Sequence, residues 1–471
     1  MSDPVNVDVL VIGAGPAGLT AAAELRRLGV GRVLVADREV EPGGVPRHSQ
    51  HTGYGLRDLH RVMTGPAYAR ALTDAALRAG AEVRAGCTVT ALRADGAETS
   101  PGLATQAHGA TQPGPERLTA VLTSALGVEA VLPSAVLLAT GCRERPRPAR
   151  LVPGDRPAGV MTTGELQQRV YLAGERLTGR ALIVGAEHVA FSAAVTLAHA
   201  GARVIALVTE HERHQSYAAF RAGAALRWRT PVWTSAVVTN IVGPGGRLAG
   251  VEITDAAGGH RRYVPCDLIV FTGDWIPDHA LARTAGLAID PGTKGPVVDT
   301  TLATMADGVF AAGNLIHAAE TADIAALSGR HAARQIAARL AGQPGPAADR
   351  QAAAGPPAAG TAADRPAPAA DPGGPAVGPR ATARVPIEVE APLRWISPNA
   401  IIPASPPPLG RFTLRTARFH RPARLEVRQG GRLLARSRPQ RLIPGRPVHL
   451  PAAWLPAVDP AGGPVRVTVQ P

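Results

Sequence analysis

Residues 7–12 (VDVLVI) form a short, mostly apolar, β-branched run, the pattern of a strand buried on both faces of a parallel sheet. A glycine-rich turn follows, then a helical stretch with Pro16 placed early and Gly29 just past its end. RVLVAD at 32–37 predicts the second strand. A loop with several glycines and histidines spans 42–66, a helix covers 67–79 and a strand 81–85. Residues 87–132 are expected to form a β-meander with a polar, Gly/Pro-rich excursion at 95–117, and AVLLA at 135–139 another buried strand. The strand–helix–strand pattern then starts again at Arg180, with ALIV, a helix over about 187–200, and RVIALV. Strands recur over 232–271, ending in LIVF; residues 296–312 are expected to return to strand and 322–341 to form an Ala-rich helix.

The chain's last quarter follows a different rule. Residues 343–384 are Ala, Pro and Gly with little else and read as a flexible linker. Beyond them apolar and polar residues alternate in short runs such as RFTLRTA and RLEVRQ, and Gln429-Gly430-Gly431 marks a hairpin. The predicted fold is therefore α/β with two Rossmann-like dinucleotide-binding domains, plus a C-terminal all-β sandwich-like domain. The expected boundaries are 1–155 with 273–342 for the first of these domains and 156–272 for the second. Residues 343–384 are the linker and 385–471 a small β-domain, expected to fold separately.

The first turn carries the chemistry. Gly13, Gly15 and Gly18 form GxGxxG between a strand and a helix, and Asp37 ends the next strand. Gly13 allows the tight turn, Gly15 lets backbone approach a pyrophosphate, and Gly18 lets the helix pack on the strand. Pro16 and Ala17 open the helix, whose free N–H groups favour phosphate, and Asp37, followed by Arg38, accepts from ribose hydroxyls.

Three segments, VIGAGPAGL at 11–19, LLATGCRERPR at 137–147 and GVFAAGNL at 308–315, resemble the pyridine nucleotide-disulfide oxidoreductase superfamily. The resemblance covers about residues 5–342 and implies the two-dinucleotide-binding flavoprotein fold with FAD as cofactor. By that likeness 1–155 with 273–342 is the FAD-binding domain and 156–272 an NAD(P)-binding-like domain, with 385–471 dispensable for FAD binding. It implies that Ala139, Thr140 and Gly141 line the FAD, and that Gly313 and Asn314 lie at its ribityl and phosphate chain, where relatives usually carry Gly-Asp. It also implies that the helix at 322–341 aims its positive end at the flavin. GGVPRHSQHTGYG at 43–55 is similar to a subgroup of flavin subunits in multi-subunit dehydrogenases acting on amines, opines or glycerol phosphate. That likeness implies that Gly43 and Gly44 pass close to the isoalloxazine and that His48, His51 and Tyr54 are poised near it as catalytic candidates. Each histidine could equally cap the loop. Ser49 stands where some relatives carry cysteine, which removes dithiol reductase chemistry.

The second turn is damaged. In Gly185-Ala186-Glu187-His188-Val189-Ala190 the first glycine survives and Ala190 is acceptable, but Glu187 sits where backbone must approach a pyrophosphate. NAD(P) is therefore doubtful as a second cofactor, although Glu210 could still serve a ribose. Three functions stay open. One is an FAD dehydrogenase moving electrons between an acceptor and a small organic substrate or partner subunit. The second is a self-contained NAD(P)H-dependent reductase. The third is a non-catalytic FAD-bound assembly protein. The first of these fits a partner dehydrogenase or iron–sulfur subunit.

Composition narrows this further. The net charge is +13, and from Gln343 onward 17 arginines face seven acids. No nucleic-acid module or row of stacking aromatics accompanies that charge, so solvated arginine on a β surface is the expected reading and nucleic acid is not expected as a partner. Cys87, Cys142 and Cys266 are far apart, which supports neither disulfide nor zinc site and fits a reducing cytoplasm. His211, His214 and Glu210 are read as a solvated loop, so no metal is expected. No apolar run is long enough to predict a membrane span.

Overall fold

The computed structural model describes residues 3–94, 118–216, 230–255, 257–318, 320–342 and 384–470. The 95–117 excursion and, except for Arg384, the 343–384 linker expected from the sequence lie outside these described residues. β1 (Val5–Ile12) is the centre of the first sheet, with Val9, Leu10 and Val11 fully buried. It pairs in parallel with β2 (Val33–Ala36), and β2 with β3 (Glu82–Arg84). On its other side lies the long strand β6 (Gly127–Leu138), Val9 opposite Ala135. β4 (Cys87–Ala94) and β5 (Leu118–Ser124) extend β6 as an antiparallel meander. α1 (Pro16–Arg27) and α2 (Gly65–Arg78) cover the sheet.

With few aromatics available, this domain packs on small side chains. α1 buries Ala17, Ala21, Ala22 and Ala23. It crosses the C-terminal helix of the domain, Ala322–Ala341, at a contact so close that a Cβ on Gly329 would lie 2.0 Å from the Ala17 carbonyl oxygen. Small residues let the two helix backbones approach, and dispersion contacts replace those that large rings would have made.

β7 (Cys142–Glu144) leaves this domain. It pairs antiparallel with Trp275–Pro277 on the returning chain. Between them lies the second βαβ unit: β8 (Val160–Thr162), α3 (Thr163–Gln167), β9 (Gly179–Val184), α4 (His188–Ala200), β10 (Ala202–Val208), and a parallel sheet completed by Val232–Trp233 and Leu268–Phe271. A three-stranded antiparallel sheet, Ala236–Val242, Gly250–Asp255 and Arg261–Pro265, packs beside it.

Residues 296–312 were expected to be strand, but only β11 (Val309–Ala311) forms one there. Asp299 explains the difference. Its carboxylate accepts from the Thr301 backbone and hydroxyl and from the Ala303 N–H, a local turn that competes with the ladder. The helix expected at 322–341 is present as α5 (Ala322–Ala341).

The C-terminal region has its own core, in which Phe412 stacks on Trp454 with centroids 5.5 Å apart. A six-stranded sheet lies on one side. The other side is three-stranded: β12 (Leu393–Ser397), β13 (Arg411–Thr416) and β14 (Val448–Pro451). Alternation assigns the faces. Phe412 and Leu414 point into this core, so Arg411, Thr413 and Arg415 point the other way. That outer face is not solvated, as the arginine count suggested. It lies against the first domain: Arg415 is only 6% exposed and pairs with Glu320 at 3.1 Å, while Trp395 stacks near His317. Backbone bonds seal the contact, with Asn399 and Ala400 donating to the Val298 carbonyl and Thr300 exchanging bonds with Ile402. The loop after β10 is likewise covered, with His211 and Arg213 against Phe419.

Candidate functional site

The glycines of the first turn act for three separable reasons. Gly13 has φ +109°, and a Cβ there would also lie 2.5 Å from the Ala139 carbonyl oxygen. A Cβ on Gly18 would meet the Gly13 carbonyl oxygen at 1.9 Å, so this residue sets the closeness of α1 to the turn. Gly15 is different. It is the N-cap of α1 with φ −82°, ordinary for any residue, and nothing lies within 4 Å of where its Cβ would be. What Gly15 preserves is open space at a helix N-terminus, beside Pro16 at the first helical position, as a dinucleotide pyrophosphate requires.

The other predicted cofactor residues converge here. Asp37 directly follows β2 and accepts from the Ala14 and Glu39 backbone N–H groups, which fix its carboxylate beside the turn. Arg38 is exposed and pairs with Asp278. The Gly43 N–H donates to the Ala14 carbonyl, and Gly44, at φ +64°, abuts Gly15. Ala139, Thr140 and Gly141 follow β6: Ala139 N–H donates to Ile12, the Thr140 hydroxyl to the Asp278 carbonyl, and Gly141 adopts φ +75° with open space at its Cβ position. Gly313 packs on Ala17, its N–H held by the Ser328 hydroxyl. Asn314 turns both ends of its amide onto Glu320, closing the 314–320 loop. That places its side chain in a structural role that the family comparison alone did not suggest.

The three catalytic candidates are not one cluster. His51 is exposed, bonds the Thr52 carbonyl and stacks on Tyr54 at 5.3 Å. His48 is buried, with Nδ1 lacking a partner. Burial, then the neighbouring Arg47 charge, lowers its pKa, so the ring is neutral at neutral pH. Burial also raises the Tyr54 phenol.

Sequence reasoning passed over three charged groups. Arg57, within the 42–66 glycine–histidine loop, pairs with buried Asp323 in the first turn of α5 at 3.1 Å. Glu320 pairs with Arg415 across the domain boundary. Glu144 is buried, accepts from the Gly164 N–H at 2.6 Å, and is pushed up to about 7 by burial, with Glu187 adding to the effect. Position in the TGCRERPR segment was the only available signal for Glu144. The other pairs span 95 or more residues, and no local pattern marks them.

The second turn keeps the backbone of the first and loses its space. Gly185 has φ +141° and Glu187 is the N-cap of α4. The Glu187 carboxylate folds back over the turn. A Cβ on Gly185 would lie 2.8 Å from its Oε2, and one on Gly273 3.0 Å from its Oε1. Oε1 is buried without a hydrogen-bond partner, and burial raises the group's pKa. This arrangement does not fit an NAD(P) pyrophosphate.

Known proteins match this architecture. One of the opine oxidase subunits of Agrobacterium tumefaciens is 28% identical over 359 residues, covering 71% of this chain, which spans 64% of that relative. Ferredoxin–NADP reductase of Salinispora arenicola is 33% identical over 324 residues, covering 66% of this chain and 86% of the relative. Among solved structures, thioredoxin reductase of T. acidophilum superposes with a TM-score of 0.57 at 20% identity, over 71% of this chain and 98% of its own, a likeness of fold. The model of the pyridine nucleotide-disulphide oxidoreductase family matches residues 7–329, taking in both glycine turns, Gly313 and the first part of α5. The chain belongs to that family and is an FAD-dependent oxidoreductase.

Proposed function

We propose that this chain is a dehydrogenase-type flavoprotein that takes electrons from a small organic substrate and passes them to an acceptor or partner subunit, without using NAD(P)H. The Glu187 carboxylate lying over the second glycine turn carries this reading. An acidic side chain there opposes a pyrophosphate both sterically and by charge. Similarity to subunits of opine oxidase and of sarcosine oxidase supports a multi-subunit dehydrogenase. Gly13, Gly15, Gly18, Asp37, Gly43, Gly44 and Gly141 would hold the FAD, which supplies two-electron acceptor chemistry when bound. His48, neutral and with Nδ1 unbonded, would accept a proton, with exposed His51 stacked on the partly buried Tyr54 of the same loop as further candidates.

The test is anaerobic mixing of the purified flavoprotein with NADH and with NADPH while following flavin absorbance. Slow or absent bleaching is expected. Full bleaching within seconds at micromolar nucleotide would overturn the proposal in favour of a self-contained NAD(P)H-dependent reductase, the reading that the 33% identity to ferredoxin–NADP reductase favours.

A further inference from the structure

The family match ends at residue 329, so the β-domain lies outside the matched segment. Its outer sheet face is laid over the part of the first domain that leads into α5. Three residues of that face, Arg411, Arg415 and His449, come from β13 and β14, with Thr413 paired opposite His449. From the first domain come His317, Glu320, and Arg57 paired with Asp323.

The charges in this group do not balance. Arg415 is matched by Glu320 and Arg57 by Asp323. Arg411 is half-buried, and among the described residues no carboxylate lies within ion-pair distance of it. It lines a narrow cleft whose other walls include His317, Ile324 and Ser328 of the first domain and Ser397 and Thr413 of the β-domain. Two ring nitrogens, His317 Nδ1 and His449 Nδ1, are buried without hydrogen-bond partners, and the His317 side chain is more than nine-tenths buried on the cleft wall. Burial and the surrounding arginines lower both histidines, to about 3 for His317 and about 4 for His449, so both are neutral at neutral pH. The group therefore carries one uncompensated positive charge and two orphaned polar nitrogens. A half-buried cation that only the more distant Glu320 compensates is left partly unpaired, and a bound anion would complete its pairing.

We propose that this interdomain cleft is a subsite for the carboxylate of an organic-acid substrate, with Arg411 as the anchoring cation and His317 as a neutral hydrogen-bonding partner on its wall. The guanidinium fork matches a carboxylate in a bidentate geometry. Arg57 lies in the same 42–66 loop as His48, His51 and Tyr54 and reaches the first turn of α5, so the cleft borders the elements that frame the flavin. The β-domain on this view selects the substrate, which deepens the dehydrogenase reading above and rests on it.

Equilibrium dialysis of the full-length holoprotein against radiolabelled benzoate and acetate tests the subsite, with benzamide as the neutral isostere and the visible flavin spectrum as a second readout. One carboxylate site is expected, with a perturbed flavin spectrum and no comparable benzamide binding. Arg411→Ala should weaken it about 10- to 100-fold with FAD content unchanged, and Arg411→Lys should retain part of the affinity. Failure of both carboxylates to bind at about 10 mM, where even a millimolar site fills, overturns the proposal. So does equal binding to Arg411→Ala, or benzamide binding as tightly as benzoate. The measurement needs no turnover. Bleaching by NAD(P)H would therefore sink the dehydrogenase reading and leave the subsite standing, and absence of carboxylate binding would do the reverse.

Discussion

The two glycine turns share one backbone and differ in one side chain. Gly15 and Glu187 are both N-caps of the helix that follows, at φ −82° and ψ −174° against φ −90° and ψ −175°. Each turn opens on a glycine at positive φ, Gly13 or Gly185, and each faces a Thr-Gly pair in which the glycine again has positive φ, Gly141 at +75° or Gly273 at +65°. In the first unit the Cβ positions of Gly15 and Gly141 look into empty space. In the second the corresponding space beside Gly273 is filled by the Glu187 carboxylate. The glycine in the middle of GxGxxG is therefore required for room, not for conformation. A fold can fill that space with a side chain and keep every element in place.

The largest expected effect comes from carrying the second turn's residue into the first. Gly15→Glu should leave the chain folded, because Glu187 already adopts the same φ and ψ at the equivalent site. It should nearly abolish FAD binding. A carboxylate about 4 Å from a phosphate costs about 4 kcal/mol at an effective dielectric near 20, or about 1000-fold in affinity. The flavin-to-protein ratio after reconstitution, with circular dichroism as the check on folding, decides it. Normal flavin occupancy in the variant would remove the phosphate role assigned to this turn.

The reverse exchange is smaller. Glu187→Gly reopens the second turn and should strengthen NAD(P)H binding by about 30- to 150-fold, corresponding to about 2–3 kcal/mol of removed repulsion after solvent screening. The gain is smaller than the loss at Gly15 because the rest of the site is not tuned for a nucleotide. Glu210, which could accept from a ribose, is exposed and already near His211. Anaerobic flavin reduction at a series of nucleotide concentrations measures the change. Identical rates for variant and parent would show that the carboxylate is not the obstacle.

Both turns were legible in the sequence because each role there is local: a tight turn, an open Cβ position, an acid at the end of the next strand. The interdomain face was not. Alternation in RFTLRTA correctly separates Phe412 and Leu414 from Arg411, Thr413 and Arg415, but a period of two says only that the two sets face opposite ways. It does not say what covers the second set, so arginines that a β surface would ordinarily solvate are found against Glu320 and His317. The strand expected over 296–312 failed for a related reason. Apolar content suggested a ladder, and the hydrogen bonds that Asp299 makes to its neighbours produced a turn instead.

The smallest expected effect concerns the acid that faces the plugged turn. Glu144 is pushed up from 4.5 to about 7, mainly by burial, with Glu187 raising it further. The Gly164 N–H and the Thr163 and Thr162 hydroxyls oppose that shift, and Arg150 is within electrostatic reach of both carboxylates. The native protein therefore holds a proton on Glu144 at pH values where the unfolded chain has lost it. Stability must fall as pH rises between about 4.5 and about 7, and level off above that. The full shift corresponds to at most about 3 kcal/mol, and local relaxation reduces this to about 1–2 kcal/mol. Glu144→Gln abolishes the titration. Relative to the parent, its melting midpoint should improve from acid to mildly alkaline pH, and the improvement should shrink in a Glu187→Gly background, where one of the two facing carboxylates is gone. Midpoints that run parallel across that pH range would mean that Glu144 is already ionised in the native state, and that the second turn tolerates two negative charges where the first is built to receive them from its cofactor.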